Sequence, residues 1–236
     1  MLATGGAEKK LRVWDLNRSG NGVSNGTTSP PPSSSSPAAS NPTSYEIGTN
    51  VHTATIKSAI WSPTDTNILI TAADDKKIRW WDLRTSRAPV AEYTVDGPIG
   101  SCEMNTSSSR TLATPVTDAS ILSVAAGKNV YFFDGTSRPG TLLKSHKLPQ
   151  QADAVAVNLA SDGNGGRGKF VTGGATDTWV HVYDYETGEE VEVGKGHHGP
   201  VWSVGFAPDG KLYATGSEDG TVKLWKNCAG EFGLWK

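Results

Sequence analysis

Cysteine, long apolar runs and any excess of one charge are what this chain of 236 residues has least of. Its two cysteines, Cys102 and Cys228, stand far apart with no C-x-x-C spacing. That removes disulfide frameworks and cysteine-rich zinc sites, and it fits a reducing compartment. Lys plus Arg number 22 against 24 Asp plus Glu, a formal net charge of −2. A balance so near neutral argues against a protein that coats nucleic-acid phosphates and against a polybasic membrane-surface protein. No apolar run approaches the ~18 residues of a membrane span, and Met1–Gly6 does not read as a signal peptide. What is abundant is 27 Gly and 8 Trp, with many Thr and Val and few helix-favouring runs. The chain therefore reads as soluble, intracellular and mostly β, and it is long enough for one large domain or two small ones.

From Ser19 to Ser44 there is no charged residue, and nearly every position is Ser, Pro, Asn, Gly or Thr. Such a stretch cannot bury enough apolar surface to offset the entropy of ordering it, so residues 19–44 are expected to be a disordered loop inserted in a domain spanning 1–236. Outside it the sequence repeats. Five β-branched runs end in an aromatic and a polar residue: Leu11–Asp15, Ile78–Asp82, Asn129–Asp134, Val180–Asp184 and Val222–Lys226. Their last residues lie 67, 52, 50 and 42 positions apart, and removing the 26-residue polar loop brings the first spacing to 41. A period in the low forties matches a four-stranded propeller blade.

The last unit is the fullest. Gly196-His197 opens it, Val201–Phe206 and Leu212–Ser217 read as strands around the Pro208-Asp209-Gly210 turn, and Asp219-Gly220 is a two-residue hairpin signal before Thr221–Trp225. Equivalent strands are expected at 56–61, 67–73 and 77–81, and again between 153 and 183; the unit around Cys102–Phe133 is degenerate, with a polar loop over 105–119. A buried indole N–H needs an acceptor. Trp225 is expected to find one in a strand hydroxyl such as Thr215, continuing to His197 and Asp219. His52, Asp75 and Trp81 occupy comparable places, as do Glu8 and Trp14. These residues are read as structural.

The Gly-His…Trp-Asp arrangement resembles the WD40 repeat family over everything except residues 19–44. The stretches 183–190, 195–200 and 217–225 and the ending Phe232–Lys236, with the opening Leu2–Gly6 and Leu11–Asn17, are similar to the kinase-receptor-associated branch of that family. The resemblance implies an all-β, seven-bladed WD40 propeller acting as a non-catalytic adaptor without cofactor or metal. It also implies work in the cytoplasm and nucleus with the survival-of-motor-neuron complex in spliceosomal ribonucleoprotein assembly, and receptor-kinase signalling of the TGF-β type. Met1 stands where a second strand should begin, so the expectation is an N-terminally incomplete propeller of about four and a half blades. The alternative within the same class is the i subunit of translation initiation factor three.

Other chemistry finds little support. Gly163–Gly168 satisfies G-x-G-x-x-G but precedes a strand-like Lys169–Thr172, whereas a dinucleotide site needs a helix there. His197-His198 lack a third metal ligand at suitable spacing. His181 and Asp184, three apart on a strand, face opposite sides. No G-x-S-x-G elbow occurs. The basic clusters Lys9–Arg12 and Lys76–Arg79 are expected to send Arg12 and Arg79 outward as solvated surface, so no direct nucleic-acid binding, membrane contact or small-molecule substrate is expected.

Overall fold

The computed structural model describes residues 1–19, 42–85, 88–107, 119–135, 138–159 and 168–227. The Ser/Pro-rich stretch 20–41, the G-x-G-x-x-G positions 163–167, Cys228 and the ending 232–236 lie outside them. Among the described residues there are 18 strands and no helix, arranged as five antiparallel meanders. The first sheet holds β1 (Leu2–Thr4), β2 (Leu11–Ser19) and β3 (Pro42–Ile47). The second holds β4 (Ile56–Trp61), β5 (Ile68–Ala73), β6 (Lys77–Asp82) and β7 (Ala91–Thr94). The third holds β8 (Ile99–Ser107), β9 (Ala119–Ala126), β10 (Asn129–Asp134) and β11 (Leu142–Lys147). The fourth holds β12 (Ala154–Asn158), β13 (Lys169–Gly173), β14 (Val180–Asp184) and β15 (Glu190–Gly194), and the fifth β16 (Val201–Phe206), β17 (Leu212–Ser217) and β18 (Val222–Lys226).

The strands run further than composition suggests. β2 and β3 reach into the polar stretch and pair Ser19 with Pro42, and β8 continues to Ser107 inside the expected 105–119 loop. Ladder bonds are made by backbone, which polar side chains do not prevent. The outer strands β7, β11 and β15 are largely exposed, so they carry little hydrophobic signal.

Packing explains the blades. Four hydrophobic clusters lie between successive sheets. Period-2 alternation sends Tyr131 and Phe133 of β10 toward the second sheet and Val130 and Phe132 toward the fourth. Both faces of an inner sheet are therefore buried, and alternation does not separate core from solvent there. Arg79 shows the consequence. It shares a face of β6 with Trp81, which packs against the first sheet, and it is 2% exposed instead of pointing outward. Arg12, whose face has no neighbouring sheet among the described residues, keeps 35% of its side chain exposed.

Adjacent sheets touch through their innermost strands, β4 against β8, β8 against β12 and β12 against β16. Three of these four strands begin with the same irregularity, an extra residue after the first pair: Lys57, Gly100 and Trp202. Such a bulge re-aims the added side chain. Lys57 pairs with Asp74 at 3.6 Å, and Trp202, half exposed, donates to Glu218 at 3.2 Å. At Gly100 no side chain fits, since a Cβ there would lie 2.4 Å from the Asp153 carbonyl oxygen of the next sheet. Gly100→Ala is expected to destabilise the fold by about 1–3 kcal/mol, read as a lower denaturant midpoint, because backbone must shift on both sides of the contact.

Candidate functional site

Each sheet is a meander, so the turns between second and third strands share a rim with the loops that lead into the next sheet. On that rim the expected polar residues converge. Trp225 Nε1 donates to Thr215 Oγ1 at 2.7 Å, Thr215 Oγ1 lies 2.7 Å from His197 Nε2, and His197 Nδ1 lies 3.0 Å from Asp219 Oδ2. Both ring nitrogens of a neutral His197 are satisfied when Nδ1–H donates to Asp219 and Nε2 accepts from Thr215. Asp219 also accepts from the His198 amide at 2.9 Å and from Thr221 Oγ1 at 2.6 Å. The Thr221 hydroxyl and the His198 amide hold its carboxyl well below the usual range. His198 itself is exposed.

The second sheet repeats the chain with one change. Trp81 Nε1 donates to Thr71 Oγ1 at 2.8 Å, and Thr71 Oγ1 lies 3.2 Å from His52 Nε2. Asp75 does not meet His52. The Arg79 guanidinium stands between them, 2.9 Å from His52 Nδ1 and 2.9 Å from Asp75 Oδ2. Since Arg only donates, His52 Nδ1 must accept, and the ring proton belongs on Nε2, the reverse of His197. Burial first, with the Arg79 charge adding to it, pulls His52 down to about 4. Burial works against ionisation of Asp75, but bonds from Arg79 and the Thr53 amide outweigh it, and its carboxyl is lowered. In the first sheet Trp14 Nε1 donates to Thr4 Oγ1 at 2.9 Å, while Glu8 pairs with Arg12 at 3.2 Å.

One layout underlies these sets. A Thr sits opposite a basic residue, the aromatic follows the basic residue by two positions, and an acid precedes it by four: Glu8-Arg12-Trp14, Asp75-Arg79-Trp81 and Asp219-Lys223-Trp225. The fourth sheet fits too, with Asp177-His181-Tyr183 and Thr172 opposite His181. His181 has Asp177 Oδ2 at 3.0 Å from Nε2 and Glu190 Oε2 at 2.7 Å from Nδ1, and Gln150 fills the slot that His52 and His197 fill elsewhere. Asp184 faces away and accepts from the amides of Glu186 and Thr187 in the β14–β15 turn. Sequence reading missed Arg79, Asp177, His181 and Gln150; the recurring acid-x3-base-x-aromatic spacing was the available signal. In the third sheet Val124, Tyr131 and Phe133 stand where the Thr, the basic residue and the aromatic stand elsewhere, and the polar link is reduced to the Tyr131 hydroxyl donating to Asp96 Oδ2 at 3.0 Å.

Little on this rim suits catalysis or metal. Among the described residues no group of three or more His, Cys, Asp or Glu could hold a metal ion, and no helix is long and apolar enough to cross a membrane. Cys102 is buried, and burial pushes its thiol up to about 12, far from a nucleophile's range. Gly168 leads directly into strand β13.

Repeated three- and four-stranded meanders packed face to face, with variants of a Trp–Thr–His–Asp chain on one rim, mark a WD40-repeat β-propeller. The WD domain, G-beta repeat family matches residues 45–82 and 188–226. More particularly, the chain is similar over its whole length to serine-threonine kinase receptor-associated protein. It is 34% identical to that of Bos taurus and covers 54% of it. It is 36% identical over 95% of its length to that of Dictyostelium discoideum, covering 61% of it. The chain thus spans somewhat over half the length of these curated relatives. Eukaryotic translation initiation factor 3 subunit I of Drosophila yakuba is 32% identical over only 72% of the chain. A solved chain in the crystal structure of a mitotic checkpoint complex superposes with a TM-score of 0.65 at 14% identity, covering 96% of this chain and 58% of that one, which speaks for the fold alone.

Thr215→Val should cost about 1–3 kcal/mol in chemical denaturation, because it strips partners from both Trp225 and His197, whereas Thr4→Val at the more open first sheet should cost less. His52 gives a pH signature. Its folded value lies below the ordinary 6.5, so the unfolded chain binds the extra proton, and stability falls as pH drops from about 6.5 to about 4. The effect is on the order of 1–3 kcal/mol, and His52→Gln should flatten that segment of the stability–pH curve.

Proposed function

We propose that this chain is a non-catalytic adaptor of the kinase-receptor-associated type, holding several proteins on one rigid frame. Similarity at 34% identity along the whole chain to serine-threonine kinase receptor-associated protein carries the reading. The chemistry of the rim agrees with it. Its buried polar groups bond one another, so they hold loops in place while exposed side chains such as Trp202 are left to meet partners. A frame whose loops are already fixed loses less conformational freedom on binding. The partners we infer are a serine-threonine kinase receptor and the survival-of-motor-neuron complex in spliceosomal ribonucleoprotein assembly, in cytoplasm and nucleus. RNA is reached through those partners.

The runner-up is a scaffold subunit of translation initiation factor three, favoured by the 32% identity to its subunit I. Affinity purification of the tagged native protein, with partners identified by mass spectrometry, separates the two. Recovery of survival-of-motor-neuron or Sm-type proteins, or of a receptor kinase, is the expected outcome. Recovery of initiation-factor subunits alone would move the protein to translation.

A further inference from the structure

The fifth sheet ends in an open edge. β18 pairs with β17 on one side, and no strand among the described residues pairs with the other, whereas the equivalent strands β2, β6, β10 and β14 each carry an outer strand. Val222 and Leu224 on this edge are 75% and 58% exposed. Beside them runs a groove of about 400 Å³ lined by Lys195, Gly196, Val222, Lys223, Leu224 and Trp225. The lining holds two lysines and no carboxylate. Lys195 rests over the Trp179 ring at 4.2 Å, and Lys223 has no ion pair among the described residues.

The other sheets show what such an edge accepts. Lys223 stands where Arg12, Arg79 and His181 stand, and in each of those sheets an outer-strand glutamate meets a base. Glu46 lies opposite Arg12 and pairs with the neighbouring Lys10 at 3.6 Å. Glu92 lies opposite Arg79 and accepts from its Nε at 2.8 Å, and Glu190 Oε2 is 2.7 Å from His181 Nδ1. The third sheet has Tyr131 in place of the base, and its outer strand sets Ser145 opposite. In the first two cases the glutamate sits between apolar or aromatic residues, Tyr45-Glu46-Ile47 and Ala91-Glu92-Tyr93, which lie opposite the apolar neighbours of the base. Leu224 and Val222 flank Lys223 in the same way. Lysines on an edge discourage pairing with a second copy of that edge. Toward an acidic strand the same charges attract.

We propose that the free edge of β18 takes up an extended segment of a partner protein as a fourth, antiparallel strand, with an acidic residue against Lys223 between apolar ones opposite Leu224 and Val222. This assignment rests on the adaptor reading and gives it a partner chemistry. Main-chain bonds to an open edge supply affinity, and the cross-strand pairs at Leu224, Lys223 and Val222 supply register.

A displayed library of random linear peptides, selected on the purified protein, tests it, with the selected peptides then measured by fluorescence polarisation and by backbone amide exchange of the protein. Selected peptides should share an apolar–acid–apolar pattern and should slow exchange over Val222–Lys226. Lys223→Glu should weaken them by at least about tenfold, and reselection on that variant should replace the acid with Lys or Arg. Val222→Asp, at an exposed position, should weaken both sets while its thermal melt stays at the wild-type value. A selection that yields no peptide, peptides without an acid, or binding that leaves β18 exchange unchanged would overturn the assignment. So would occupation of the edge by the chain itself, read as a dimer in sedimentation that Val222→Asp dissolves, or as faster β18 exchange once residues 228–236 are deleted. If affinity purification still recovers partner proteins in those cases, the adaptor reading stands without the edge; if it recovers none, the adaptor reading itself falls.

Discussion

A β-sheet has two faces, and the fold depends on covering both of them with other sheets. Four clusters between five sheets achieve this for the three inner sheets, with neighbouring residues of one strand serving opposite interfaces, and cover one face each of the first and fifth. The central sheets have little apolar edge left over, and no helix is needed to cap them. Burial on both sides also raises the stakes for every polar group within a sheet. An indole N–H or a guanidinium placed there must find its partner inside the protein, since water is excluded from both faces. The Trp–Thr–His–Asp chains follow from that constraint.

The two histidines illustrate how one frame accommodates different chemistry. Where the residue before the Trp pair is Arg79, its planar fork spans the gap between imidazole and carboxylate, and the ring proton sits toward Thr71. Where it is Lys223, the carboxylate of Asp219 meets His197 directly and the proton sits on the other nitrogen. The backbone positions are the same, and a single side chain inverts the tautomer.

Much of this was legible beforehand. The low-forties period, the closing aromatic of each run and the Gly-His and Asp-Gly signals are local, so the inner and middle strands and the Trp225–Thr215–His197–Asp219 set could be read from sequence. The outer strands could not, because Ala91–Thr94 and Glu190–Gly194 pair on one side only and need no apolar pattern. Arg79 was misread because alternation tells inside from outside only when a sheet has one wet face. Asp177 and His181 follow the repeated spacing, but the bond from His181 to Glu190 was invisible for a related reason: Glu190 looks like ordinary outer-strand polarity until the pleat brings it to the ring.

The family repeat matches 45–82 and 188–226, beginning in one sheet's outer strand and ending in the third strand of the next. Against that offset the extra residue at the start of three innermost strands gains a meaning of its own. Its neighbours on the ladder are locked to adjoining sheets, but Lys57 and Trp202 answer only to one acidic residue each, Asp74 and Glu218. In the second and fifth sheets one register slip thus separates side chains that build the frame from a side chain that can change without disturbing it. A propeller made this way can alter what it recognises one position at a time, at constant architecture.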